Sequence, residues 1–455
     1  MIESNAISGS CLIGLDLGTS VIKGVLTDRR GVVLAEASRS NNLLHPKEGW
    51  VEIEPAGHYR NVCDVIRRLA AAAPGDVAAV AMAAASGNTL LTDERGEPLS
   101  NLITWMDCRA QMNPPAALSG LTAAAVRQIT GWPCVTNFPL AHLAWLRENE
   151  PRLYGAAAHY GMDTDWLLYR LTGNWMMDFS TATTFHLQEQ ISGTYHIPFL
   201  ERLGIVPEKL SALTRSGLVA GHLTPQAAAD TGLSERTLAV TGCFDHPAAA
   251  RAAGVLEPGQ LMLSCGTSWV GFVPHGNRQA LVDAELLCDP FLSRSGGPWA
   301  GMFSVSCIGR AIDWYVEHVI AADEDAEMRM RVFDASAAEA PPGAGGLRID
   351  LREPPRLLSA SRAHVSRAVM EGAAGLLAER VRDLSDRGFR YTHAVMVGGP
   401  SRSPVWPRIV AELTGLDVTV GGRSAGARGA ALLAGIGAGL FENEQAAFAA
   451  GVALQ

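Results

Sequence analysis

"LIGLDLGTSVIKGVLTDRRGVVLAE" (Leu12–Glu36) decides how the rest of the chain is read. An apolar run reaches an aspartate, Asp16, turns through Gly18-Thr19-Ser20, and leaves at once as a second apolar run. A third run follows "DRRG", so the spacing predicts a meander of three antiparallel strands. The plan returns far downstream. "GQLMLSCGTSWVGFVPHG" (Gly259–Gly276) is again strand, turn and strand, with Gly266, Thr267 and Ser268 at the tip. Two such hairpins suggest two domains built alike. The length of 455 residues, 48% of them hydrophobic, is also too great for one ordinary core.

Working outward, "PAGHYRNVCDVIRRLAAAA" has helical spacing at Val62, Val65, Ile66 and Leu69. "DVAAVAMAAA" reads as a strand, and "NTLLTDERGEPLSNLITW" as a hairpin-like stretch. From Leu121 to Leu203 the signal is mainly helical. Later, "THAVMVGGPSRSPVWPRIVAELTG" is strand, glycine turn and helix, and "SAGARGAALLAGIGAG" is a helix of small residues suited to close packing. "AAEAPPGAGGLRIDLREPP" reads as a loop. The fold class is α/β, with mixed sheets covered by helices.

The formal charge of −9 is spread over the chain without a basic block, which excludes nucleic acid and an anionic membrane surface as expected partners. The eight cysteines form no C-x-x-C pair and no zinc spacing. They read as reduced thiols of a cytoplasmic protein. "MIESNAISGS" lacks the profile of a signal peptide, and no apolar run approaches the ~20 residues needed to cross a bilayer.

A carboxylate at the end of a buried strand needs a partner. Asp16 is either a turn-capping residue or an acid beside a phosphate cradle. A tight turn with free N–H groups and the hydroxyls of Thr19 and Ser20 suits phosphate oxygens. An adjacent acid suits Mg²⁺, and Lys23 adds positive charge. The second turn, Gly266-Thr267-Ser268, implies a nucleotide held between two domains. In "GCFDH", Asp245 is either a helix N-cap or a base for a hydroxyl attacking a γ-phosphorus. "GGPSRSP" (Gly398, Gly399, Ser403) is either a plain strand–helix turn or a place where adenine meets backbone. In "ITWMDCR", alternation would put Trp105 and Asp107 on one face as a floor for a polyhydroxylated ligand. The alternative is a surface ion pair with Arg109 beside a core tryptophan.

In order, these pieces resemble the FGGY family of carbohydrate kinases, of the actin/hexokinase/Hsp70 superfamily. The resemblance rests on "IGLDLGTSVIKGVL", "GWVEIEPAGHY", "ITWMDCRA", "DTDWLLYRLTGNWMMDFSTATTF", "GCFDHPAAARAAGVLEPGQLMLSCGTS" and "VGGPSRSPVWPRIVAELTGLDV". It implies two ribonuclease-H-like (actin-like ATPase) domains, 1–240 and 241–455, with ATP and Mg²⁺ in a cleft between them. Asp16 resembles the metal-associated acid, and Thr19, Ser20 and Lys23 the β/γ-phosphate contacts. Asp245 matches the catalytic base, and Gly266 and Thr267 the second phosphate turn. Gly309 and Asp313 fall at the nucleotide, and Gly398, Gly399 and Ser403 at adenosine. The sugar would contact Asn88, Trp105, Asp107, Asp245 and His246. A homodimer is a further family-level implication.

Departures mark the chain's own character. Cys243 and Phe244 replace two glycines of G-G-G-D. Ser86-Gly87 stands where glycerol kinases have Arg-Glu and xylulose kinases Met-His. "GGLRIDLREPPRL" replaces a G-E-R-x-P loop. The expected activity is phosphorylation of a sugar, keto-sugar or polyol. The alternative is a non-catalytic sugar or nucleotide sensor on the same scaffold.

Overall fold

The expected meander forms. Strand β1 (Cys11–Leu17) pairs antiparallel with β2 (Val21–Thr27), and β2 with β3 (Val33–Ser40). The structure, a computed structural model, describes residues 11–85, 87–133, 136–266, 269–305 and 308–452, with the side chains of 326, 327, 451 and 452 left aside.

On its other edge β1 pairs parallel with β4 (Val77–Ala84). The sheet then closes with β5 (Val219–His222) and β6 (Leu238–Phe244), in the order β5-β6-β4-β1-β2-β3. β6 runs parallel to β4. β1 is buried on both faces, as a central strand covered by helices must be. Its glycine explains one cover. A Cβ on Gly14 would lie 2.0 Å from the Ala427 carbonyl oxygen, so only glycine lets the Ala425–Gly437 helix lie this close. On the opposite face, a Cβ on Gly24 would meet Val65 and Leu69 of the Pro55–Ala71 helix at 2.8 Å.

The second sheet repeats the plan. β7 (Gln260–Cys265), β8 (Trp269–His275) and β9 (Trp299–Val305) form an antiparallel meander. β10 (His393–Gly398) and β11 (Asp417–Val420) add parallel strands beyond β7.

The chain falls into two compact units. The first holds the described residues up to Gly254, Leu287–Gly297, and those from Ser424 on; the second holds Val255–Leu286 and Pro298–Arg423. A boundary at 240/241 would cut β6 in two, so the expected division moves to Gly254/Val255. The cause is packing. The Asp245–Ala252 helix lies so close to the Ala425–Gly437 helix that a Cβ on Gly429 would be 1.9 Å from the Ala248 carbonyl oxygen. Asp245 therefore belongs to the first unit.

The stretch from Asn88 to Trp105 closes on itself in the hairpin-like manner expected, through antiparallel bridges Thr89 to Ile103 and Thr92 to Pro98 and the Leu99 N–H donating to the Leu91 carbonyl at 2.9 Å. Its short strands also pair outward, Leu90–Thr92 with His159–Gly161 and Leu102–Ile103 with Glu52–Ile53. Among the described residues, Cys11, Cys63, Cys108, Cys243, Cys265 and Cys288 are free thiols, and no helix is long and apolar enough to cross a membrane.

Candidate active site

Asp16 lies near the carboxyl end of β1, and Asp245 follows directly on β6. Both strands flank β4 and run parallel to it, so their ends emerge on one edge, about 10 Å apart at two strand spacings. Ligands of open α/β sheets bind outside the carboxyl ends of parallel strands. Asp16 feels both its burial and the second acid. Desolvation, then the Asp245 carboxylate, push Asp16 up to about 7, and Lys23 pulls it down. Lys23 stands directly across the hairpin from Asp16 and is exposed. Desolvation also raises Asp245, offset by His246. Its side chain keeps 27% of its surface exposed, and Oδ1 accepts the His246 N–H at 2.6 Å.

The N-terminus of the Ala425–Gly437 helix backs Asp16. A Cβ on Gly426 would lie 2.8 Å from its Oδ2. The helix thus presents its positive end to the carboxylate. A desolvated carboxylate beside the hairpin turn, Asp16, suits a divalent ion that takes few protein ligands and completes its shell with water and ligand oxygens. No group of three or more His, Cys, Asp or Glu side chains forms a closed metal cage among the described residues.

The turn itself is held from behind. Asn41 Nδ2 donates to the carbonyls of Gly18 and Thr19 at 3.2 and 3.1 Å, and Asn41 N–H to that of Ser20 at 2.9 Å. A Cβ on Gly18 would meet the Val21 carbonyl oxygen at 2.6 Å, so glycine is required there. With its carbonyls tied to Asn41, the turn offers its N–H groups and hydroxyls to a ligand.

Trp105 joins this turn: its indole N–H donates to Thr19 Oγ1 at 2.7 Å, and the ring is 38% exposed. A ring of polar contacts supports the pair. Asn88 Oδ1 accepts the Trp105 N–H at 3.2 Å, and Asn88 Nδ2 donates to Asp163 Oδ2 at 3.0 Å. His58 lies 3.6 Å from the same oxygen and returns to Asn41 at 3.2 Å. Asn88 is thus buried and engaged at both ends; it positions Trp105 and does not present its amide to a ligand.

Asp107 also departs from the expected ligand contact. It is fully buried. Its Oδ1 and Oδ2 accept Arg109 Nε and Nη2, each at 2.8 Å, and Oδ2 also accepts the Val51 N–H at 2.8 Å. Arg109 continues to Glu52 at 2.6 Å and lies 3.7 Å over the Trp50 ring. Asp107 is one half of a buried ion pair that anchors the segment bearing Trp105. Beside Asp245, Phe244 packs edge-on against His246 and Trp132, at 5.5 and 5.8 Å between ring centroids. The bulk at Phe244 thus extends an aromatic wall, and His246, partly exposed, lies at its edge.

In the second unit, Cys265 and Gly398 are neighbours on β7 and β10, which brings Gly266 beside the Gly398–Gly399 turn. Gly398 has φ +99°, and a Cβ there would meet the Cys265 carbonyl oxygen at 2.3 Å. Gly399 has no atom within 4 Å of the corresponding position, so its backbone is open. Ser403 differs from expectation. Its hydroxyl donates to Asp334 at 2.6 Å and accepts from Val405 and Trp406 N–H at 3.1 and 3.2 Å, capping the Trp406–Thr414 helix. Of Gly398, Gly399 and Ser403, the accessible part is therefore backbone. Gly309 and Asp313 lie one turn apart on the Ile308–Tyr315 helix, the first buried and the second exposed. Thr267 lies outside the described residues.

Sequence reasoning missed Asn41, His58 and Asp163, of which His58 and Asp163 fall inside stretches already quoted for the family resemblance, where they carried no role.

Residues 11–251 match the model of the FGGY family of carbohydrate kinases, N-terminal domain, and residues 261–438 that of its C-terminal domain. The chain is 26% identical to xylulose kinase from Bacillus subtilis (strain 168) over 453 residues, covering 95% of this chain and 89% of that one. It is 25% identical to autoinducer-2 kinase from Yersinia enterocolitica over 481 residues, covering 96% and 88%. The crystal structure of xylulose kinase from Rhodospirillum rubrum matches with a TM-score of 0.81 and 27% identity, over 93% of this chain and 88% of that one. The fold is the two-domain actin-like ATPase architecture.

Proposed function

Because the chain belongs to the FGGY family of carbohydrate kinases, we propose that Asp245 is the base through which it passes the γ-phosphoryl group of ATP to a hydroxyl of a sugar, keto-sugar or polyol. The observation that carries this reading is the placement of Asp16 and Asp245 at the carboxyl ends of parallel strands on one sheet edge, with burial raising both carboxyls. A carboxyl raised above its usual range is a better proton acceptor near neutral pH. Asp245 takes the hydroxyl proton as the oxygen attacks. The Thr19 and Ser20 turn and Lys23 hold the phosphoryl oxygens. Trp105 offers its exposed face to the carbohydrate, and His246 its edge. In the second unit, the open backbone at Gly399 suits the nucleotide base. A Mg²⁺ ion held at Asp16 would neutralise phosphate charge. The paired acids and the phosphate turn favour catalysis over a sensor, which needs no base.

The test is Asp245→Asn, assayed by coupled ADP release over a panel of pentoses, hexoses, ketoses and polyols. Turnover with the preferred sugar should fall roughly 10²–10⁴-fold with ATP affinity little changed. Normal turnover would remove Asp245 from the role of base.

A further inference from the structure

We infer that Ser180 and Asp289 are positioning residues that fix the direction of Asp245, an inference that rests on the reading of Asp245 as base. Asp245 stands at the first position of its helix, just past the end of β6. Its Oδ1 accepts the His246 N–H at 2.6 Å, and the backbone N–H groups of Asp245 and His246 both act on the carboxyl. Where it points is therefore set by the backbone on either side.

That backbone is held by a buried chain of polar groups. The Phe244 N–H, one residue before Asp245, donates to Ser180 Oγ at 3.2 Å. Ser180 Oγ donates in turn to Asp289 Oδ2 at 2.8 Å. Asp289 Oδ1 accepts the Phe291 N–H at 2.7 Å. Ser180 and Asp289 are 2% and 0% exposed, so each bond replaces solvent that cannot reach the group. Ser180 is itself fixed at the start of the Phe179–Phe185 helix, where Asp178 caps the Thr181 N–H at 2.9 Å.

The chain closes through the base's own helix. Arg251 Nη2 donates to the Phe291 carbonyl and Nη1 to the Pro247 carbonyl, each at 3.2 Å. Glu444 balances its charge at 3.2 Å. Phe291 is thus gripped at its N–H by Asp289 and at its carbonyl by Arg251. It has φ +43°, a conformation costly for a phenylalanine that persists where surrounding contacts over-determine it. The peptide before Asp245 and the first helical turn after it are pinned to the same short segment. Ser180 is the hydroxyl that links the strand end to that segment, and Asp289 orients its proton.

The experiment combines Ser180→Ala and Asp289→Asn with Asp245→Asn and reads kcat and KM for sugar and ATP. Ser180→Ala removes the acceptor for Phe244, while Asp289→Asn keeps size but leaves one acceptor oxygen where the Ser180 hydroxyl and the Phe291 N–H need two. Each should lower kcat about 10- to 100-fold with sugar and ATP KM within about threefold. The Ser180→Ala/Asp289→Asn pair should lose no more than the worse single variant, because both act through one link. In the Asp245→Asn background, Ser180→Ala should cause no further loss of residual turnover. If Ser180→Ala fails to fold, Asp289→Asn carries the same comparisons. Normal kcat in these variants, with Asp245→Asn inactive, overturns the positioning role and leaves the base intact. Equal losses with and without Asp245 also overturn it, since they mark a purely structural effect. An active Asp245→Asn variant overturns the base reading itself.

Discussion

The two hairpins share a sheet plan and a glycine-led tip, but they differ in what they carry. In the first, the residue two before the glycine is Asp16; in the second it is Ser264. In the first sheet β6 is followed by Asp245, whereas in the second β10 runs out through Gly398 and Gly399, one with no room for a side chain and one with open backbone. Titratable chemistry is concentrated in the first unit, and close approach to backbone in the second. The same scaffold, used twice, separates charge handling from ligand fit. Substitutions in the two units should therefore fail in different ways.

The largest effect should come from Asp16→Asn. Turnover should drop on the order of 10³-fold, by loss of charge stabilisation, and the response to added Mg²⁺ should flatten. Its stability should move the other way. Asp16 has its carboxyl raised from 3.8 to about 7 in the folded protein. Such a group favours folding below the unfolded value and loses that contribution as pH rises through the folded one. With a chelator present, wild-type stability should fall between about pH 4 and pH 7 by more than that of Asp16→Asn. Chemical unfolding across that range reads it, and parallel curves would contradict the burial of this acid.

Next is Asp107→Asn. The buried pair with Arg109 predicts a loss of about 3 kcal/mol of stability, with sugar KM unchanged in the fraction that stays folded. A selective rise in sugar KM without destabilisation would restore Asp107 as a ligand contact.

The smallest contrast pairs two glycines. Gly14→Ala sets a Cβ against backbone in the first unit and should cost about 3 kcal/mol. Gly399→Ala meets nothing and should leave the melting temperature unchanged while raising ATP KM severalfold. If Gly399→Ala unfolded the protein and left ATP binding alone, the contrast between the units would be lost.

Much of this was legible in the sequence. Strands ending in glycine turns announce themselves by local spacing, which is why both meanders and the Asp16 turn were readable. Other features depended on contacts between distant segments. Alternation placed Trp105 and Asp107 together, but the strand stops at Ile103, so the period of two does not reach them. Arg109, two residues on, then draws Asp107 inward. The division at Gly254 was hidden because glycine-mediated packing between the Asp245–Ala252 and Ala425–Gly437 helices leaves only a run of small residues as its mark. Asp289 was unreadable for the same reason: its partner, Ser180, is 109 positions away.

The helix that backs Asp16 is encoded more than four hundred residues after it. During synthesis, at roughly 5–20 residues per second, the opening meander emerges long before its cover exists. For tens of seconds the nascent chain therefore exposes the groove around Gly14, a dwell that invites chaperone capture. Ribosome-stalled chains ending before and after residues 425–437 should differ sharply in protease resistance of this first sheet.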